Sequence, residues 1–178
     1  MSAMRKAKAV ALCAVMVTLA LALSLAERLI PLPLPLPGVK LGLANVVTLV
    51  ALALFKKRYG AMILLCRCLL GAMFGGGITG LLFSLCGGVL AFGAMALAMR
   101  GRKLSVYGVS VLGAAAHQIG QILAAMGLMG SVAVGAYLPW LLLTAVATGL
   151  LTGGLCAGVL KGLSAAGIRS PEGMEAAV

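Results

Sequence analysis

The residues able to do chemistry in this chain are few, and their types decide what chemistry is open to it. Of three acidic residues, Glu172 and Glu175 lie in the last few positions, leaving Glu27 as the one carboxylate in the body of the chain. There is no aspartate, so the clustered carboxylates that hold magnesium and a diphosphate are missing. A Ser-His-Asp arrangement lacks its third member. The single histidine, His117, and five dispersed cysteines supply no metal or haem set; Cys66 and Cys68, two positions apart, point to different faces of a helix. No phosphate-cradling glycine loop with its lysine is present, so ATP hydrolysis is not expected of this chain. What remains is a set suited to holding rather than to breaking bonds: Arg28, Lys40 and Arg67 for positive charge, and Asn45, His117, Gln118 and Gln121 for hydrogen bonds.

These residues have to be positioned by an unusually apolar chain. Hydrophobic residues make up 63% of the 178 positions and charged residues 10%, against about 25% charged in ordinary soluble domains. A soluble chain of this length could not cover so much apolar surface, and lipid is the implied solvent. The continuous apolar runs favour helices over the alternating ten-residue segments of a β-barrel.

Taking about 20 apolar residues per crossing, the sequence predicts six spans. They cover about residues 9–26, 41–55, 59–74, 78–99, 104–126 and 137–160. The basic start followed by an apolar run imitates a signal peptide, but the run is long enough to span and is read as an uncleaved first helix. Pro31, Pro33, Pro35 and Pro37 alternate with leucines, which forbids helix and favours a stiff extended loop. Gly75-Gly76-Gly77 marks a turn. The expected domains are a basic N-terminus (1–8), a six-helix membrane domain (9–163) and a flexible tail (164–178).

The net charge of +11 has a membrane explanation. Its clusters (Arg5, Lys6, Lys8; Lys56, Lys57, Arg58; Arg100, Arg102, Lys103) fall between apolar runs on one side of the six-span layout, joined by Lys161 and Arg169. Arg28 and Lys40 alone fall on the other side. Lysine and arginine mark cytoplasmic loops, so both termini are expected inside a plasma membrane, and no nucleic-acid partner is implied. Trp140 and Tyr137 then belong to the outer aromatic belt.

In this layout Asn45, His117, Gln118 and Gln121 lie in the outer half of the membrane, Glu27, Arg28 and Lys40 ring its outer surface, and Arg67 lies near the middle of the third span. His117 and Gln121 share a helix face. Ionisable groups at such depth are expensive and point to function. Together they suit a small anionic ligand arriving from outside, with the proline loop as a lid. Structural readings stand beside this one: an Arg67–Glu27 bridge, Arg28 and Lys40 reaching lipid phosphates, and His117 and Asn45 joining helices. In the first span Ala14, Thr18, Ala22 and Ala26 recur every four residues, a small-residue face for close helix packing within the chain or for docking a membrane partner.

The run Pro37-Gly38-Val39-Lys40-Leu41-Gly42-Leu43-Ala44-Asn45 resembles the membrane family named heptaprenyl diphosphate synthase component I, also called the Gx transporter family. The stretch from Gly108 to Gln121, the Glu27-Arg28 pair and Arg67 fit the same resemblance, which covers about residues 9–163. Gln118 departs from it, standing where the family's His-Asn-x-x-Gln pattern has asparagine. The family name implies a subunit assisting prenyl diphosphate or quinone synthesis. The layout is also similar to the substrate-binding S components of energy-coupling-factor transporters. That similarity implies capture of a small molecule outside, with a transmembrane coupling protein and ATPase subunits as partners, no cofactor, and no catalysis by this chain alone. The expected architecture is an all-α, S-component-like bundle.

Overall fold

A computed structural model describes residues 3–29, 40–55, 57–101 and 103–167, with backbone only for 3–9 and 28. The expected lid, the proline loop at 31–37, and the tail from 168 onward lie outside the described residues. Among the described residues the chain is all-helical. The helices are α1 (Ala3–Ala26), α2 (Asn45–Leu54), α3 (Lys57–Gly71), α4 (Gly77–Gly101), α5 (Val106–Met129) and α6 (Leu138–Ala165). A 3-10 turn, Glu27–Leu29, follows α1, and another, Val132–Tyr137, leads into α6.

Among the described residues, three helical stretches are long and apolar enough to cross a membrane: Lys57–Gly101, Val106–Met129 and Val132–Ala165. The first holds two helices. Its backbone leaves helical geometry at Phe74 and Gly75, and Gly75 (φ 87°) and Gly77 (φ 58°) take left-handed conformations that only glycine adopts cheaply. The glycine triplet therefore does what its sequence suggests, and α3 and α4 pack on one another. Ser105 caps α5 by accepting the Gly108 N–H at 3.2 Å, and Gly130 closes that helix in the left-handed region.

The expected second span, 41–55, comes out shorter. Its helix starts only at Asn45, after Gly42 (φ +88°) turns the backbone, and runs ten residues, about 15 Å. That is half of a hydrocarbon core of about 30 Å. Nine of its residues are buried. The other five helices all pack against it. α2 is thus a central pin rather than a lipid-facing helix. Leu49 and Leu52 on one side join Met95, Val106, Val109, Cys156 and Leu160. Val47 and Ala51 on the other meet Ala20 and Ile63. Large apolar residues such as Leu97, Leu143 and Leu151 face outward, the reverse of a soluble bundle.

Close backbone approach joins α4 to α5. A Cβ placed at Gly120 would stand 2.5 Å from the Cys86 carbonyl oxygen, and one at Gly87 would stand 2.8 Å from the His117 ring. Glycine at both positions lets α5 deliver His117 and its neighbours into the bundle. Gly120→Ala should force the two helices apart and cost about 1–3 kcal/mol. Gly127→Ala, where a Cβ meets nothing within 4 Å, should be neutral or slightly stabilising. Unfolding midpoints in detergent check the pair; equal behaviour would contradict the packing account.

Candidate functional site

The polar side chains meet where the segment 40–44 enters the bundle. Five elements contribute: the turn after α1, the start of α2, the latter part of α3, and the facing turns of α4 and α5. The non-helical residues before α2 cannot satisfy all of their own backbone groups, and in an apolar bundle no water replaces the missing partners cheaply. Side chains do it instead. Gln121 Oε1 accepts the Lys40 N–H at 3.1 Å, and Gln118 Nε2 donates to the Lys40 carbonyl at 3.3 Å. Glu27 accepts the Gly42 N–H and is also hydrogen-bonded by the Leu43 backbone. The Lys40 ammonium donates to Ser84 Oγ at 2.8 Å. The turn bonds from Asn45 N–H to Gly42 O and from Val46 N–H to Leu43 O then start α2.

These bonds fix the amide orientations. Because Gln121 Oε1 is committed to an N–H, its Nε2 is the atom 3.1 Å from His117 Nε2, and it can only donate. His117 Nε2 therefore accepts, which assigns the ring proton to Nδ1. That nitrogen faces the Gly87 backbone at the edge of hydrogen-bonding geometry. Gln118 spends its donor on Lys40, so its buried Oε1 is left without a partner.

Asn45 Oδ1 accepts from an Arg67 guanidinium nitrogen at 3.2 Å, so Asn45 Nδ2 is the end left open. Arg67 is 6% exposed, and its Nε–H also lacks a partner. The Arg67–Glu27 bridge among the sequence readings is not formed: Glu27 is spent on backbone N–H groups and acts on Arg67 only through space. Burial pushes the Glu27 carboxyl up from its ordinary range; the Gly42 and Leu43 N–H groups, Lys40 and Arg67 pull the other way.

Lys40, Asn45, Arg67, His117, Gln118, Gln121 and Glu27 are thus brought to one region. Arg28 lies in the turn after α1, with its side chain outside the described residues. Two participants escaped the sequence reading. Ser84 is one hydroxyl in a glycine-rich apolar helix, and only the fold sets it opposite Lys40. Thr48 is buried and its hydroxyl is unpartnered. It stands three residues after Asn45, on the same face of α2, a spacing that could have flagged it. Gly42 could likewise have been picked out: a Cβ there would lie 2.9 Å from Asn45 Nδ2 and 3.1 Å from His117 Cδ2. Cys66 is exposed and Cys68 buried, as their spacing implies. Among the described residues, no group of His, Cys, Asp and Glu could hold a metal ion.

A sequence profile for the family described as heptaprenyl diphosphate synthase component I matches residues 16–160. The chain belongs to that family. No curated protein and no solved structure was matched by the chain. The component I match takes in every site residue from Glu27 to Gln121, and its all-helical fold is consistent with the S-component likeness.

The double clamp on Lys40 is testable. Gln121→Leu removes the acceptor for a partly buried N–H, a loss of about 1–3 kcal/mol. The Lys40 amide should then exchange hydrogen markedly faster, while amides in the middle of α6 stay protected. Unchanged exchange at Lys40 would mean that the clamp does not hold the segment.

Proposed function

We propose that this component I protein is the substrate-capturing membrane subunit of a small-molecule importer, taking an anionic ligand from the outer face. In this reading the chain crosses the plasma membrane six times with both termini inside, following the distribution of lysine and arginine, the short α2 and residues 40–44 before it together making the second crossing. The polar cluster then lies toward the outer side. The observation that carries the reading is Arg67: a buried guanidinium bonded to a neutral asparagine, with its Nε unpartnered. A buried guanidinium without a directly bonded carboxylate is expensive inside a membrane bundle, and a ligand anion would lower the cost.

The chain supplies capture and no chemistry. It has no aspartate, and its one carboxylate outside the tail is engaged by backbone N–H groups. Energy for release would come from partners, a transmembrane coupling protein and ATPase subunits. The docking face would be α1, where Ala14, Thr18, Ala22 and Ala26 are all exposed while Ala20 and Ser24 face the bundle. Membrane lipid would cover the remaining apolar surface.

The family description supports a second reading, a membrane subunit for prenyl diphosphate or quinone synthesis. There the same cations would hold a diphosphate while a partner does the chemistry.

Native mass spectrometry of gently solubilised protein separates the two. Capture predicts a retained small molecule, coupling and ATPase partners, and at least tenfold lower retention in Arg67→Met. Ala22→Leu should lose the partners and keep the small molecule. Recovery of a prenyl synthase without ATPases would favour the second reading, and unchanged retention in Arg67→Met would remove the site.

A further inference from the structure

The atoms left open in the cluster describe the molecule that would close it. Among the described residues five buried side-chain atoms are open; Thr48 Oγ1 stands beside Asn45 and His117 Nδ1 faces the Gly87 backbone, and the other three are on Arg67, Asn45 and Gln118, which are 6%, 6% and 0% exposed. Arg67 Nε–H and Asn45 Nδ2 are donors, and Gln118 Oε1 is an acceptor. Neither amide can be flipped, because the other end of each is already used, and the guanidinium can only donate. Buried polar atoms in this state are rare, and each needs an unseen partner or carries a desolvation cost.

Their spacing sets a size. Gln118 is bound to the Lys40 carbonyl, and Asn45 Nδ2 lies against Gly42. Those two anchor residues are two Cα steps apart, about 7 Å. A small molecule is long enough to reach from the open donors to the open acceptor, which belongs to the same cluster as the cation.

Charge sets the class. With Glu27 counted as ionised, Lys40 and Arg67 bring two positive charges and Glu27 one negative charge among the described side chains, a surplus of one. A singly charged acid balances it. A diphosphate brings more negative charge than the cluster can offset, and the excess would be buried without a partner.

The geometry points to a ligand with one carboxylate and one N–H or O–H donor: the carboxylate sits on Arg67 Nε and Asn45 Nδ2, and Gln118 Oε1 receives the donor. This assignment rests on the capture reading and narrows it. It makes Gln118 a specificity residue, since a ligand lacking the donor leaves that oxygen unsatisfied. Gln121, Glu27 and the Lys40 backbone are the frame that holds the binding atoms in place.

Thermal unfolding of the full chain in lipid nanodiscs provides the test, with four probes: glycolate (one carboxylate, one hydroxyl), acetate (no hydroxyl), ethylene glycol (no charge) and inorganic pyrophosphate. Glycolate should raise the midpoint in a concentration-dependent way, more than acetate does, and ethylene glycol and pyrophosphate should not. Gln118→Leu should reduce the glycolate shift to the acetate level. Arg67→Met should abolish it, and Arg67→Lys, which keeps the charge and loses the Nε–H, should weaken it if Arg67→Met does not fold. A larger shift with pyrophosphate, no shift with glycolate, or an undiminished shift in Gln118→Leu would overturn the assignment. A co-purifying compound without a carboxylate would also overturn it and leave capture standing. A glycolate shift without any co-purifying compound would count against capture alone.

Discussion

A stretch of backbone without helical hydrogen bonds has to be satisfied by something, and inside an apolar bundle the choices are few. Residues 40–44 are such a stretch. Gln118 and Gln121 reach across from α5 to hold both backbone groups of Lys40, much as a neighbouring strand would, and Glu27 holds Gly42 from the end of α1. The rest of the arrangement depends on this. The clamp sets where Gly42 turns, the turn sets where α2 begins, and α2 is the short pin on which the other helices pack. The same clamp consumes one end of each glutamine, which fixes the His117 tautomer and leaves Gln118 Oε1 open.

Two kinds of polar group follow from that economy. Gln121 and Glu27 are fully employed, and their roles are structural. Arg67, Asn45 and Gln118 are half employed: each makes one bond and keeps another atom buried without a partner. Packing alone gives no reason to bury a guanidinium beside an amide with both left unfinished, because replacement by apolar residues would relieve the cost. Half-finished polar groups clustered at one end of an apolar bundle are what a binding site looks like before its ligand arrives.

Much of this was legible in the residues. Apolar run lengths gave an all-helical chain, and the glycine triplet at 75–77 gave the break between α3 and α4. Rarity identified the site, since a polar residue stands out in a chain this greasy. What could not be read was pairing. Sequence spacing leaves Arg67 equally able to meet Glu27 or Asn45, and only the turn at Gly42, which draws Glu27 to the backbone, decides the matter. Nor could the start of α2 be read from hydropathy: Leu41 and Leu43 are as apolar as the helix that follows, and their non-helical state comes from contacts distant in sequence, Lys40 with Gln121 81 positions on and Gly42 with Glu27 15 positions back. Ser84 was hidden for the same reason, since nothing local distinguishes a hydroxyl that holds a distant lysine from a packing one.

The central claim is that Arg67, Asn45 and Gln118 await a ligand rather than one another. A near-atomic cryo-electron microscopy map of the protein, purified gently into lipid nanodiscs, tests it most directly. The account predicts non-protein density within hydrogen-bonding distance of Arg67 Nε and Asn45 Nδ2, extending to Gln118 Oε1, with Glu27 still on the Gly42 N–H. A map in which Arg67 pairs with the Glu27 carboxylate, with no density between the three side chains, would contradict it.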